Sequence, residues 1–187
     1  STLPAEMSLK LNGDYPFYEA RRLVFESMWK NPEEASYDRY GDQIVPVPEK
    51  IYQWQNKYIT DASYRYSTPL LLELEKGENT ITLSVAEGNI LIGGIYLSAP
   101  PEIKAHEASQ PADGNALITI EAEDMDFRND SSIRASCEYD PDLSPYQPDS
   151  KVLNVIDSAS FKDAGQMVGY EFEVENAGYY NIALNYR

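Results

Sequence analysis

Short runs in which every second residue is apolar, each closed by a turn-forming pair, recur along this chain and constrain its fold more than any other feature. "MSLKLNG" places Met7, Leu9 and Leu11 on one side and then reaches Asn12-Gly13. Side chains of an extended strand alternate between its two faces, so such a run has one apolar and one wet side. Asn-Gly is the strongest short signal for a hairpin turn. "RRLVFESMW" (21–29) reads as a second strand, with Leu23, Phe25 and Met28 inward. From Lys30 to Pro48 the chain is polar and Pro-bearing, a long loop. "PLLLELEK" (69–76) then leads through Gly77 into "NTITLSVA" (79–86), where Ile81, Leu83 and Val85 alternate. Gly88-Asn89 turns that run into "ILIGGIYLS" (90–98), which Pro100-Pro101 ends.

Residues 99–116 carry Pro, Ala, Ser, Asp and Gly with little apolar content, and read as a linker. Beyond them "ALITIEAEDMDF" enters as a strand through Ile118 and Ile120 and ends in an acidic bend. After a Pro- and Asp-rich loop, "KVLNVIDS", "MVGYEFEVE" and "GYYNIALNYR" read as strands. In the last, Tyr180, Ile182, Leu184 and Tyr186 share a face. One helix is predicted, in "PEKIYQWQNKYITDAS": Ile51, Trp54, Gln55, Tyr58 and Ile59 follow the 3,4 spacing, and Pro48 stands at a suitable start. Eight or nine short antiparallel strands with one short helix predict an all-β sandwich or jelly roll.

Charge and rare residues exclude several functions. The 31 acids outnumber the 15 bases, giving a net charge of −16, which repels phosphate backbones and anionic membranes. No nucleic-acid partner is therefore expected. Cys137 is the single cysteine, so no intrachain disulfide forms, and with one histidine, His106, a Cys/His zinc site is not expected. A Ser-His-Asp triad would have to use His106, which stands in the polar linker. No run of about 20 apolar residues offers a membrane span. The start at "STLPAEMSLKL" shows no signal peptide and reads as a boundary within a longer chain.

Several stretches resemble a known group. "ITIEAEDMDF" is similar to the first strand of galactose-binding-like carbohydrate-binding modules, which often begin with an E-x-E pattern. "GYEFEVENAGYYNIALNYR" resembles their strand-turn-strand around a Gly-Tyr turn. "LKLNGDYPFYEARRLVFESMW", "WQNKYITDASYRYSTPLLLELEKGENTITL" and "DPDLSPYQPDSKVLNVIDSASFKDAGQMVGYEFEV" resemble segments of large bacterial extracellular solute-binding proteins of ABC transporters. Such proteins carry galactose-binding-like modules beside a sugar-binding domain. The resemblance implies a galactose-binding-like jelly-roll β-sandwich at the bacterial cell surface, with no catalysis of its own. Its role would be to bind carbohydrate or to brace the receptor. A purely structural or interaction sandwich, and an ancillary module of a glycoside hydrolase, are the alternatives.

Against that group the halves stand in reverse order. Residues 1–100 resemble the C-terminal half of a module, 101–117 a linker, and 118–187 the N-terminal half of a module. A half-sandwich leaves an apolar face and open strand edges, so the halves are expected to pair, within the chain or in a strand-swapped homodimer.

Candidate site residues follow from these readings. Glu121 and Glu123 would point to the same side of a strand, about 7 Å apart, where two carboxylates can share a hard cation with backbone carbonyls. The resemblance implies a structural calcium there, completed by an acid from a last strand; "ILIGGIYL" has Gly93-Gly94 where that acid is expected. The same carboxylates also read as a solvated strand end. A glycosidase would need two acids across a cleft, and no pair stands apart from the other 29. Carbohydrate binding needs flat rings for the apolar faces of sugars and planar hydrogen-bonding groups for hydroxyls. Tyr64, Arg65 and Tyr66 in "ASYRYS", Trp54 in the predicted helix, and Tyr139 and Tyr146 in the later loop are the candidates. On its 3,4 stripe Trp54 also reads as core.

Overall fold

A computed structural model describes residues 3–102, 105 and 117–187. The linker read at 101–117, with His106, lies outside the described residues except at 101, 102, 105 and 117. In chain order the strands are β1 (Ala5–Leu11), β2 (Leu23–Phe25), β3 (Met28–Lys30), β4 (Glu49–Ile51), β5 (Ile81–Glu87), β6 (Phe127–Arg128), β7 (Ala135–Ser136), β8 (Val155–Ile156) and β9 (Val168–Gly169). Every pairing between them is antiparallel. The described helix is a single 3₁₀ turn at Tyr18–Arg21, so the chain is essentially all-β.

The first sheet has the order β2-β1-β5. Alternation in β1 does what its sequence dictates: Ala5, Met7 and Leu9 are buried while Glu6, Ser8 and Lys10 are half-exposed. Leu9, Ala20 and Leu23 form the core of this sheet, with Phe17, Phe25, Ile59, Leu72, Ile81 and Leu83 packed around them. Burying a side chain the size of Leu contributes about 1.5–3 kcal/mol, so this small cluster holds the sheet together. β1 ends at Asn12-Gly13, both with positive φ (52° and 94°), and Leu11 and Asp14 exchange backbone hydrogen bonds of 2.8 and 3.1 Å. Asn12 also accepts from Thr80 N–H and donates to Asn79 Oδ1, tying the turn to the start of β5.

The second sheet has the order β4-β3-β6-β9. It joins the two halves of the chain, because Trp29 of β3 is registered with Arg128 of β6. Phe127 lies across from Gly169 of β9, where an added Cβ would stand 2.1 Å from the Phe127 ring. The absent side chain is what lets the ring cross there. β7 and β8 form a separate ladder. The loop after β3 is stitched to the β8 side: Gln43 N–H donates to the Lys151 carbonyl, Lys151 N–H to Asp42, and Leu153 N–H to Gln43 Oε1.

Several expectations are corrected. The helix predicted in 48–63 does not form. Glu49–Ile51 pairs with β3 as a strand, and residues 52–60 have no regular structure. A short helix depends on a groove for its apolar stripe, and here the ladder to β3 claims the segment first. "RRLVFESMW" is not one strand; it breaks at Glu26-Ser27, and its two parts enter different sheets. Residues 69–76, 90–98 and 179–187 are not strands among the described residues, and Tyr180, Ile182, Leu184 and Tyr186 are exposed. Alternation makes a strand only where a neighbouring edge offers a run of hydrogen bonds, and among the described residues no ladder forms on these segments: Leu70 N–H bonds the Ile59 carbonyl singly, and Tyr179 stands in a lone bridge. Ile118 and Ile120 likewise lie at the surface in irregular backbone, not inside a sandwich.

Candidate acidic cleft

The acidic bend is a turn and not the end of a strand. Asp124 N–H donates to the Glu121 carbonyl at 3.2 Å, closing a four-residue turn. Glu121 and Glu123 therefore do not share a strand face. Glu121 is half-exposed, whereas Glu123 is buried, in phase with buried Met125 and half-buried Phe127. β9 pins the bend: Asp126 N–H donates to the Gly169 carbonyl, Glu171 N–H to Asp126 Oδ2, and the Tyr170 hydroxyl to the Ala122 carbonyl at 2.7 Å.

Glu123 opens onto a cavity of about 440 Å³. Met125, Ala135 and Leu153 supply buried apolar lining, while Asn31, Glu33, Glu34, Asp124 and Asp126 add polar groups. Burial, reinforced by the charges of Asp124 and Glu121, pushes the Glu123 carboxyl up to about 7. Burial and the nearby acids also raise the Tyr170 phenol. Strand alternation pairs Glu123 with Glu121 in the sequence, where the turn separates them, and it does not point to Asn31, Glu33 or Glu34. The only hint was the run "NPEE", a polar turn directly after an apolar strand end.

These residues do not fit a calcium site. Among the described residues no group of three or more His, Cys, Asp or Glu side chains is gathered to hold a metal ion. Glu121 is not among the residues lining the cavity.

The aromatic candidates are scattered. Tyr64 adopts positive φ (52°), and its hydroxyl donates to Glu26 at 2.8 Å. Burial and the Glu26 carboxylate push its phenol up to about 12. Its ring fills the space beside Gly165, so Tyr64 is occupied in joining the halves. Arg65 is held by the buried Asp61, which accepts from its backbone N–H and its Nε at 3.0 Å, and by Glu19. Bonding to Arg65 holds the Asp61 carboxyl below the usual range. Tyr66 is exposed, with the Arg65 guanidinium 5.6 Å from its ring centre. Tyr139 and Tyr146 are exposed on the later loop.

Trp54 is not core. It is 74% exposed, and its six-membered ring lies against Gly93, whose Cβ would stand 3.1 Å away. Tyr52 and Tyr58 of the same segment are exposed too. Among the described residues no helix is long and apolar enough to cross a membrane. No family model, no curated protein and no solved structure matches the chain.

Proposed function

We propose that the chain is a non-catalytic module that binds carbohydrate, or braces a neighbouring domain, in a bacterial cell-surface solute-binding protein of an ABC transporter. Its architecture would be a galactose-binding-like sandwich. The resemblance of its strand-and-turn segments supports this reading, and so does the antiparallel all-β character of the chain. The observation that carries it is Trp54: a large flat ring on the surface, backed by Gly93 and flanked in sequence by exposed Tyr52 and Tyr58. The apolar face of a pyranose stacks on such a ring, and nearby polar side chains take its hydroxyls. The test is a glycan array followed by calorimetry. Trp54→Ala is expected to weaken the glycan affinity by at least about tenfold, the loss of one stacked ring, with unchanged thermal melting. Absence of any glycan ligand, or binding indifferent to Trp54→Ala, refutes it.

A second reading, a structural or interaction module, is favoured by the exposed apolar residues Ile92, Ile95, Leu97, Ile182, Leu184 and Tyr186. Unpartnered apolar surface of this extent marks contact sites. Hydrogen exchange over 90–98 and 179–187 checks it. Slowing on association with a partner domain supports the reading, and unchanged fast exchange counts against it.

A further inference from the structure

β5 has the longest open edge among the described strands. It stands at one end of the first sheet, hydrogen-bonded to β1 on one side. Among the described residues no backbone bond outside that ladder involves Ile81–Glu87. Its surface is open as well. Thr82, Ser84 and Ala86 are exposed, and Val85 is 58% exposed although it shares a side with half-buried Ile81 and Leu83. The ends of the larger sheets are shorter: β2 and β4 have three residues each and β9 has two, and Glu49 and Lys50 stand on β4. From Thr80 to Ala86 there is no charged residue and no proline. Native edges are usually blunted by such residues, and a long edge without them is a template for another strand.

The sequence of β5 says which strand fits. Ile81-Thr82-Leu83-Ser84-Val85 reads the same in both directions by kind: branched aliphatic, hydroxyl, leucine, hydroxyl, branched aliphatic. A second copy laid antiparallel about a two-fold axis at Leu83 puts Leu83 beside the partner's Leu83. Ile81 then meets the partner's Val85, and Thr82 meets the partner's Ser84. Aliphatic and hydroxyl pairs placed directly opposite are the contacts that stabilise antiparallel strands. Val85, uncovered in the single chain, gains a neighbour of its own kind. Two copies of a chain with net charge −16 repel. In this register, however, the two Glu87 side chains lie at opposite ends of the pair. At 3.4 Å per residue they are about 27 Å apart, well beyond a Debye length of about 8 Å. The partner's Glu78 comes nearer to each Glu87, so some repulsion remains for salt to screen.

We propose that two copies of this chain join edge to edge through β5, making one continuous sheet of order β2-β1-β5-β5-β1-β2. The contact is isologous and uses up the long open edge, so assembly closes at two copies. It is independent of the carbohydrate-binding reading, and Trp54 plays no part in it.

Sedimentation equilibrium on the 187-residue chain, from micromolar to millimolar concentration, tests it. The mass is expected to double as concentration rises, and hydrogen exchange over residues 81–85 is expected to slow as the dimer fills. Val85→Glu and Val85→Lys are each expected to weaken dimerisation at least about tenfold, because either charge would be buried against the partner's Ile81. The lysine variant lowers the net repulsion, so its failure to dimerise separates the edge contact from charge in general. Both change an exposed side chain, and unchanged circular dichroism confirms that they fold. Leu91→Glu, on a side chain 84% exposed outside β5, is expected to leave the dimer intact. Added salt is expected to strengthen association. A chain that stays monomeric at millimolar concentration overturns the proposal. So does a dimer that survives both Val85 variants or is lost in Leu91→Glu, association that runs past two copies, or a dimer that salt weakens.

Discussion

Removing the charge of Glu123 should make the protein more stable at alkaline pH and leave it unchanged at acidic pH. The carboxyl is raised from an ordinary 4.5 to about 7 in the folded state, chiefly by burial. A raised acid binds its proton more tightly when folded, so its contribution to stability is full below about pH 4.5 and is lost as pH rises through 7. Integrating that linkage between pH 5 and pH 8 gives a loss of about 2–3 kcal/mol. The net charge of −16 also grows more repulsive over this interval, so the wild-type slope alone proves little. The informative quantity is the difference between wild type and Glu123→Gln. Urea unfolding, followed by the fluorescence of buried Trp29, measures it at both pH values. Wild type should lose about 2–3 kcal/mol more than the variant between pH 5 and pH 8. Parallel losses in the two proteins would show that Glu123 is solvated and that the burial argument is wrong.

Three further outcomes follow from the packing. Arg128 is 1% exposed, and its Nε and Nη1 have no partner among the described residues, so Arg128→Met should raise stability by about 1–3 kcal/mol in urea unfolding. Asn154 is buried, accepts from Glu138 N–H and donates to the carbonyls of Glu138 and Pro145. Asn154→Ala should cost about 2–4 kcal/mol and speed hydrogen exchange at Glu138. Gly165 has φ of +85°, and its Cβ would stand 1.9 Å from the Tyr64 ring. Gly165→Ala should therefore cost about 2–4 kcal/mol, and a Tyr64→Ala background should relieve all but about 1–2 kcal/mol of it in a double-mutant cycle.

The sequence was legible where a local rule and a tertiary partner agreed. β1, its Asn12-Gly13 turn and β5 were readable because alternation, turn chemistry and the Leu9–Leu23 core all require the same register. The break in "RRLVFESMW" was written in the sequence too. Leu23 and Phe25 are in phase and Met28 is not, so no unbroken strand could bury all three. Residues 48–63 misled because the 3,4 stripe of Ile51, Trp54 and Tyr58 is a statement about an isolated helix. The pairing of Met28 with Ile51 depends on a strand edge that no local pattern reveals. Trp54 was misplaced for the same reason. Its seat on Gly93 lies about 40 residues away in sequence, and only an absent side chain marks it.

The acidic bend shows why one carboxylate of four is singled out. Phase is what selects Glu123: Met125 is buried and Phe127 crosses Gly169, so residues two apart from them turn inward. A slip by one residue would bury Asp124 and Asp126 in place of Glu123 and Met125, replacing one costly charge with two. The Asp126–Gly169 and Tyr170–Ala122 bonds oppose that slip. Glu123 is thus held inside by the same contacts that fix the bend against β9.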